Sequence, residues 1–129
     1  GLNKLLLNKE KFEETNLKFQ CLDISKDELP SVDCVIIRQV LQHLSNKEVL
    51  SVVNKLYNFK YVILTEHIPD DDFIPNKDII SGQGIRLKKQ SGLDLIASPF
   101  SLKIKEEKEL SRVVLNGKKG VIKTILYEL

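Results

Sequence analysis

The chain has 129 residues, of which 42% are hydrophobic and 29% charged, and its formal net charge is +2. This length and composition are typical of one soluble domain with a hydrophobic core. The small net charge argues against a nucleic-acid or membrane-surface function, and no apolar run is long enough to cross a bilayer. The leucine-rich start passes at once into charged residues, so it does not have the pattern of a signal peptide.

In the first part of the chain, the pattern predicts one helix followed by two strands. Apolar residues fall on one side of a helix over residues 2–14. Residues 17–24 alternate partly and predict a strand, and Pro30 ends any helix in the break that follows. Residues 32–38 contain consecutive β-branched side chains, which favour a strand covered on both faces.

The middle of the chain predicts a helix between two buried strands. After a short helical turn over residues 39–44, Ser45 and Glu48 have the spacing of a capping box. Apolar residues at helical spacing follow as far as Leu56, and Asn58 marks the end of the helix. Residues 61–65 form the next predicted strand, so that strand, helix and strand make one βαβ unit.

The last part of the chain predicts loops and then antiparallel strands. Residues 67–76 and 78–95 are expected to be loops, the second with one short helix or strand. Short strands are expected over 102–104 and 111–115, and residues 106–110 are expected to be charged and exposed. Asn116 and Gly117 signal a turn before a final strand over 121–129.

Cysteine and histidine usage argues against a disulfide framework and against a metal site. The two cysteines, Cys21 and Cys34, fall in or beside predicted buried strands, and they lack the spacing that zinc ligands use. His43 and His67 are the only histidines. The sequence therefore predicts free buried thiols, no bound metal and a cytoplasmic protein.

The residues of this middle region resemble those of class I methyltransferases, which use S-adenosylmethionine. The resemblance begins at Asp23-Ile24 after a strand, and continues through Leu29-Pro30 and Asp33. It then includes an Arg-x-Val-Leu-x-His-Leu motif over residues 38–44. Later features of the same kind are NKDIISGQGIRL (76–87), Ser-Pro-Phe (98–100) and a closing strand that ends in Tyr-Glu-Leu.

The resemblance implies an α/β fold: a Rossmann-like, partly parallel sheet with helices on its faces and an antiparallel C-terminal hairpin. It implies that Asp23 and Ile24 contact the adenine of S-adenosylmethionine, and that Arg38 and Gln39 form a wall at the methionine end. Asp23 is equally explained as a turn residue. Arg38 also has the alternative of a solvated or ion-paired charge at the end of a strand.

Three further residues are candidates for the substrate side of the site. Glu66 and His67 end the strand that follows the helix, where ligands of parallel sheets bind. A carboxylate there can act as a general base, although a solvated acidic loop is the simpler alternative. His43 has the pKa range of a proton acceptor, but the alternative is a packed histidine with a backbone hydrogen bond. The aspartates at 70–72 are weak evidence for a cation site.

The chain departs from the resemblance at its start. The glycine-rich turn and the acidic residue that bind the cofactor in this family have no counterpart, because Gly82-x-Gly84 does not join a strand to a helix. We therefore expect residues 1–129 to be one incomplete methyltransferase-like domain that lacks the first βαβ unit. Such a chain is expected to bind cofactor weakly and to show weak or no activity.

Three hypotheses follow for function. The first is methyl transfer from S-adenosylmethionine to an unknown acceptor. The second is a non-catalytic α/β interaction module that self-associates through an uncovered sheet edge. The third is nucleic-acid binding through a basic surface of Arg86, Lys88, Lys89, Lys118, Lys119 and Lys123, for which solvated charges are the default explanation.

Overall fold

The structure is a computed structural model, and it describes residues 33–129. The helix predicted over residues 2–14, the strand predicted over 17–24, Cys21 and the Asp23-Ile24 pair lie outside the described residues.

Four strands in the described part of the chain form one mixed sheet. They are β1 (Cys34–Arg38), β2 (Tyr61–Ile68), β3 (Glu106–Val114) and β4 (Val121–Glu128), in the spatial order β1-β2-β4-β3. The β1–β2 pair is parallel, whereas β4 runs antiparallel to both β2 and β3. The expected α/β architecture, a parallel part followed by an antiparallel C-terminal hairpin, is therefore confirmed at this level.

The single α-helix of the described residues is α1 (Asn46–Leu56), and it begins where the capping pattern predicts. Ser45 is the N-cap, and its hydroxyl accepts a hydrogen bond from Glu48 N at 3.4 Å. The return half of the capping box passes through a third residue. Ser45 N donates to Ser81 Oγ at 2.7 Å, and that hydroxyl donates to Glu48 Oε1. The loop that carries Ser81 thereby stabilises the start of the helix.

The hydrophobic core lies between α1 and one face of the sheet. Val49, Val52, Val53 and Leu56 of α1 are buried at helical spacing, and Ile37, Val62 and Leu64 are buried in the strands. The register pairs Ile37 with Leu64, which places both on the helix-bearing face. Each buried aliphatic side chain contributes about 1.5–3 kcal/mol, so this contact fixes the helix on the sheet.

Two short 3-10 helices complete the elements of residues 33–129. One covers Leu41–His43, within the helical turn predicted over residues 39–44, and the other covers Arg86–Lys89 in the long loop.

The opposite face of the sheet is apolar in places and is not covered by α1. Val35 and Ile37 face the core, but Ile36 between them is 71% exposed. The expectation that β1 is covered on both faces is therefore wrong for the described residues. Cys34 is also exposed rather than buried.

The strand predicted over residues 102–104 is wrong. Leu102 is buried beside the core, and its N–H donates to Leu95 O at 2.7 Å, while Lys103 N donates to Tyr57 Oη at 3.0 Å. A loop carbonyl and a tyrosine hydroxyl thus accept the hydrogen bonds of these two backbone N–H groups, and no neighbouring strand is needed. The strand begins instead at Glu106, because β3 is an outer strand whose exposed positions accept charged residues.

The turn between β3 and β4 depends on Gly120. Its φ is +84°, and a Cβ atom there would meet Ile68 O at 2.5 Å and His67 Nε2 at 2.8 Å. We predict that Gly120→Ala lowers the free energy of unfolding by about 2–4 kcal/mol, because it adds a left-handed penalty to a backbone clash. Urea denaturation measures the change.

Gly82→Ala is the matched control, since a Cβ at Gly82 meets nothing within 4 Å. It should change stability by less than about 1 kcal/mol. Equal stabilities for the two variants would contradict the assigned packing of Gly120.

Candidate functional site

The candidate site lies where the parallel strands β1 and β2 end. Arg38 pairs with Thr65, and Gln39 N donates to Thr65 O at 2.8 Å, so the two strand ends are adjacent. Gln39 has a φ of 52°, in the left-handed region that few residues other than glycine adopt. The backbone therefore turns sharply at the edge where ligands of parallel sheets bind.

The two predicted cofactor residues of the described chain occupy this turn. Arg38 is exposed at the end of β1, and Gln39 is half-buried beside it. The register places Arg38 and Thr65 on the face of the sheet opposite α1, and His67 follows Thr65 on that same face. The contact of Arg38 and Gln39 with a cofactor stays a prediction.

The substrate-side candidates Glu66 and His67 point to opposite faces. His67 Nε2 forms a hydrogen bond with Lys119 O at 2.8 Å, so this ring reaches the loop before β4. Glu66 is 3% exposed and lies on the face that carries α1. Its Oε2 accepts a hydrogen bond from Gln42 N at 3.1 Å, at the beginning of the first 3-10 helix. The structure therefore brings Glu66, but not the ring of His67, to the interior.

Gln42 joins these residues across the strand ends. Its backbone N–H donates to Glu66, and its side-chain Oε1 accepts from His67 N at 2.7 Å. Gln42 is 5% exposed, so both hydrogen bonds are shielded from water. They hold the 3-10 helix against the end of β2 and fix the direction in which the chain leaves Gln39.

Arg86 is the second buried ionisable residue of the site. It is 2% exposed, and its guanidinium donates to Leu44 O at 2.8 Å and Asn46 Oδ1 at 2.6 Å, with a longer contact to Gln42 O at 3.5 Å. The expectation that Arg86 belongs to a solvated basic surface is wrong. The planar fork of donors suits a site that presents several oxygen acceptors.

Glu66 and Arg86 influence each other electrostatically in this interior. Burial raises the pKa of Glu66 to about 8, against the lowering effects of the Gln42 hydrogen bond and of the Arg86 charge. Burial also lowers the pKa of Arg86. Glu66 Oε1 and Arg86 Nε are both buried, and neither has a hydrogen-bond partner among the described residues.

His43 binds the loop that covers the 3-10 helix. Its Nδ1 forms a hydrogen bond with Gly84 O at 3.2 Å, and its own carbonyl accepts from Gly82 N at 2.9 Å. The alternative explanation of His43, a packed histidine with a backbone hydrogen bond, agrees with the contact to Gly84 O. A role in catalysis stays a prediction.

Asn76 anchors the other end of the same loop. It is buried with a φ of 61°, and its side-chain amide donates to Asp94 O at 2.8 Å and Ser98 O at 3.0 Å. Its Oδ1 accepts from Asp94 N at 2.8 Å, and its carbonyl accepts from Asn46 Nδ2 at 2.8 Å. Asn76 thus connects α1 to the segment around Asp94.

Sequence reasoning did not find Gln42, Arg86 or Asn76 as parts of the site. Gln42 falls inside the Arg-x-Val-Leu-x-His-Leu motif but was not singled out. Arg86 stands between Ile85 and Leu87, and apolar neighbours on both sides are the signal that separates it from the lysines at 88 and 89. Asn76 opens the Asn-x-Asp-Ile feature of the resemblance.

A separate cleft of about 600 Å³ begins at Ile68, just beyond the strand end, and is lined by the 69–73 loop and by β3 and β4 residues. Arg38, Gln39, His43, Glu66 and His67 do not line it. No group of three or more potential metal ligands occurs within residues 33–129, and no helix there is long and apolar enough to span a membrane. Comparisons with protein families, with curated proteins and with solved structures found no match.

The raised pKa of Glu66 predicts a pH-dependent stability. An unfolded glutamate loses its proton near pH 4.5, whereas folded Glu66 keeps it until about pH 8. Folding therefore becomes less favourable as the pH rises between these values, by at most about 1.4 kcal/mol per pH unit. Urea denaturation at several pH values should show Glu66→Gln losing this part of the slope.

Glu106→Gln is the matched control, because it makes the same substitution at an exposed position on β3. It should keep the pH slope of the unsubstituted chain. Identical slopes in all three proteins would contradict a proton on Glu66.

Proposed function

We propose that this chain is part of an S-adenosylmethionine-dependent methyltransferase that acts on an unknown acceptor. The observation that carries the proposal is the adjacency of the β1 and β2 ends, with Arg38 and Gln39 at the resulting edge. The sequence resemblance and the mixed sheet, with its parallel β1–β2 pair and antiparallel C-terminal hairpin, support the same assignment. A Rossmann-like fold and a cytoplasmic location belong to this proposal.

The residues at the edge fit the methionine end of such a cofactor. The exposed guanidinium of Arg38 suits a carboxylate, and the backbone of Gln39 is held in place by its hydrogen bond to Thr65. Bound S-adenosylmethionine supplies an activated methyl group, so the protein has mainly to position the reactants and exclude water. Gln42 contributes by fixing the chain that follows Gln39.

Binding of S-adenosylhomocysteine tests the proposal. We expect millimolar ligand to shift the amide NMR signals of Arg38 and Gln39 in the ¹⁵N-labelled chain. Arg38→Ala should weaken binding by about tenfold, because it removes a charged hydrogen-bond donor. Lys60→Ala is the control, since exposed Lys60 precedes β2 at the opposite end of the parallel pair.

Absence of any shift at millimolar ligand would refute cofactor binding by this chain. Equal weakening by Arg38→Ala and Lys60→Ala would show that the edge is not the binding site.

A self-associating interaction module is the second candidate, and the exposed sheet face favours it. Ile36 is 71% exposed and Val113 is 50% exposed, and the register places them on the same face with half-buried Ile63, Leu126 and Ile122. Ile36, Ile63 and Leu126 form one apolar row across three strands, and a polar row that contains Thr65 and Thr124 separates it from Ile122 and Val113. Exposed apolar surface such as the first row marks protein contacts. A second copy of the chain is the occupant we assign, because β1 is an outer strand of the described sheet.

Sedimentation velocity distinguishes this candidate. If the module self-associates, Ile36→Lys should shift the chain from dimer to monomer at concentrations where the unsubstituted protein is dimeric. Ile80→Lys should leave the dimer unchanged, because Ile80 is 92% exposed in a loop and is not part of the sheet. A monomeric unsubstituted chain at high concentration would exclude the module.

A further inference from the structure

The cleft beyond Ile68 has the size and position of a small-molecule site. Its volume of about 600 Å³ lies within the range of ligand pockets, about 300–1,000 Å³. One wall is the sheet face that carries α1, formed here by β3 and β4. The other wall is formed by the loop after β2 and by the segment around Asp94. Lys123 and Tyr127 represent the first wall, and Phe73 and Leu93 the second.

Tyr127 lines this cleft. The residue is 2% exposed, and no hydrogen bond joins its hydroxyl to another residue in the described part of the chain. Buried tyrosine hydroxyls usually have a partner. Burial, and then the nearby charges of Asp94, Glu107 and Glu66, raise the pKa of Tyr127 above its usual value, so the hydroxyl stays protonated. It is therefore an unused polar group that a ligand can reach.

Carboxylates approach Tyr127 from both walls. Glu107 is directly opposite Tyr127 in the β3–β4 ladder, and side chains opposite each other in antiparallel strands lie about 4.5–5.5 Å apart at Cβ. Asp94 faces them from the second wall, where its Oδ1 accepts a hydrogen bond from Ile96 N at 3.0 Å. The loop adds exposed carboxylates at its rim, from Asp70, Asp71 and Asp72.

The two cationic residues that line the cleft, Arg112 and Lys123, lie close to the carboxylate of Glu109, which does not line the cleft. Arg112 and Lys123 are opposite each other on β3 and β4, and Glu109 Oε1 lies 2.9 Å from Arg112 Nη2 and 3.8 Å from Lys123 Nζ. Glu109 thus offsets part of their charge. Five carboxylates line the cleft against these two cations, so the cleft has an excess of negative charge.

We propose that this cleft binds an organic amine in its protonated form. The ammonium group lies among Tyr127, Asp94 and Glu107, where the hydroxyl oxygen and the carboxylates accept its hydrogen bonds. The apolar part of the ligand packs on Leu93 and Ile125. The proposal concerns binding alone, so it stands or fails independently of methyl transfer.

Three probes of similar shape and different charge test the proposal on the ¹⁵N-labelled chain. Phenethylamine should shift the amide NMR signals of Leu93, Asp94 and Tyr127 at millimolar concentration, and added salt should weaken its binding. Neutral phenethyl alcohol should bind at least about tenfold more weakly, and anionic hydrocinnamate should bind least. Equal binding of the three probes, or no shift with phenethylamine, would overturn the proposal.

Variants locate the site. Tyr127→Phe and Asp94→Asn should each weaken phenethylamine binding by about tenfold, because each removes one acceptor of the ammonium. Asn at position 94 keeps an oxygen for the Ile96 hydrogen bond, so this variant tests the charge even if Tyr127→Phe is unstable. Glu106→Gln is the control, since Glu106 is next to Glu107 on β3 but does not line the cleft. The same affinity for Asp94→Asn and Glu106→Gln would refute the assigned position.

Discussion

The buried Arg86 guanidinium is the interaction on which the geometry of the strand ends depends. It reaches Leu44 O and Asn46 Oδ1 around the short segment that joins the 3-10 helix to α1. A charge without these acceptors would be very costly in an interior. Breaking a buried charge contact typically costs about 3–5 kcal/mol, so the loop that carries Arg86 has one favoured position. That position brings Ser81 to the start of α1 and Gly84 to His43.

Burial favours the neutral form of Glu66, whereas Arg86 keeps its charge, although both residues are hydrogen-bonded to Gln42. The desolvation of Glu66 outweighs both the hydrogen bond from Gln42 and the attraction of Arg86, which is why its pKa rises to about 8. A protonated Glu66 still accepts from Gln42 N through one oxygen. The hydrogen bond from Gln42 N is thereby kept near neutral pH without a full ion pair, while Glu66 Oε1 and Arg86 Nε have no hydrogen-bond partner among the described residues. This hydrogen bond holds the first 3-10 helix against the end of β2, and the Glu66 side chain is buried.

The sequence predicts the parts of the fold that depend on local patterns. Ser45 and Glu48 locate the start of α1, the apolar run at 61–65 locates β2, and Asn116-Gly117 locates the turn before β4. Prediction from the sequence is wrong where contacts between distant parts of the chain determine the local structure. Residues 102–104 have the apolar pattern of a strand but lie in a loop. The N–H groups of Leu102 and Lys103 donate to Leu95 O and Tyr57 Oη instead of to a neighbouring strand. Arg86 and Tyr127 are buried by segments that are distant in the chain, which no spacing along the sequence reveals. The position of Arg38 and Gln39 beside the end of β2 follows from the rule that the carboxyl ends of parallel strands share one edge, and their contact with a cofactor stays a prediction.

The direction of β4 explains why two candidate sites lie close together. Because β4 is antiparallel to β2, Val121 at its start pairs with Ile68 at the end of β2, and Lys123 pairs with Glu66. Residues of the hairpin therefore extend the sheet beside the strand ends, and the loop after Ile68 folds over them to enclose the acidic cleft. Glu66 lies on this same face, and in its ionised form it helps to raise the pKa of Tyr127. If the cleft binds a protonated amine as proposed, ionisation of Glu66 should strengthen that binding, because it adds a negative charge near Tyr127.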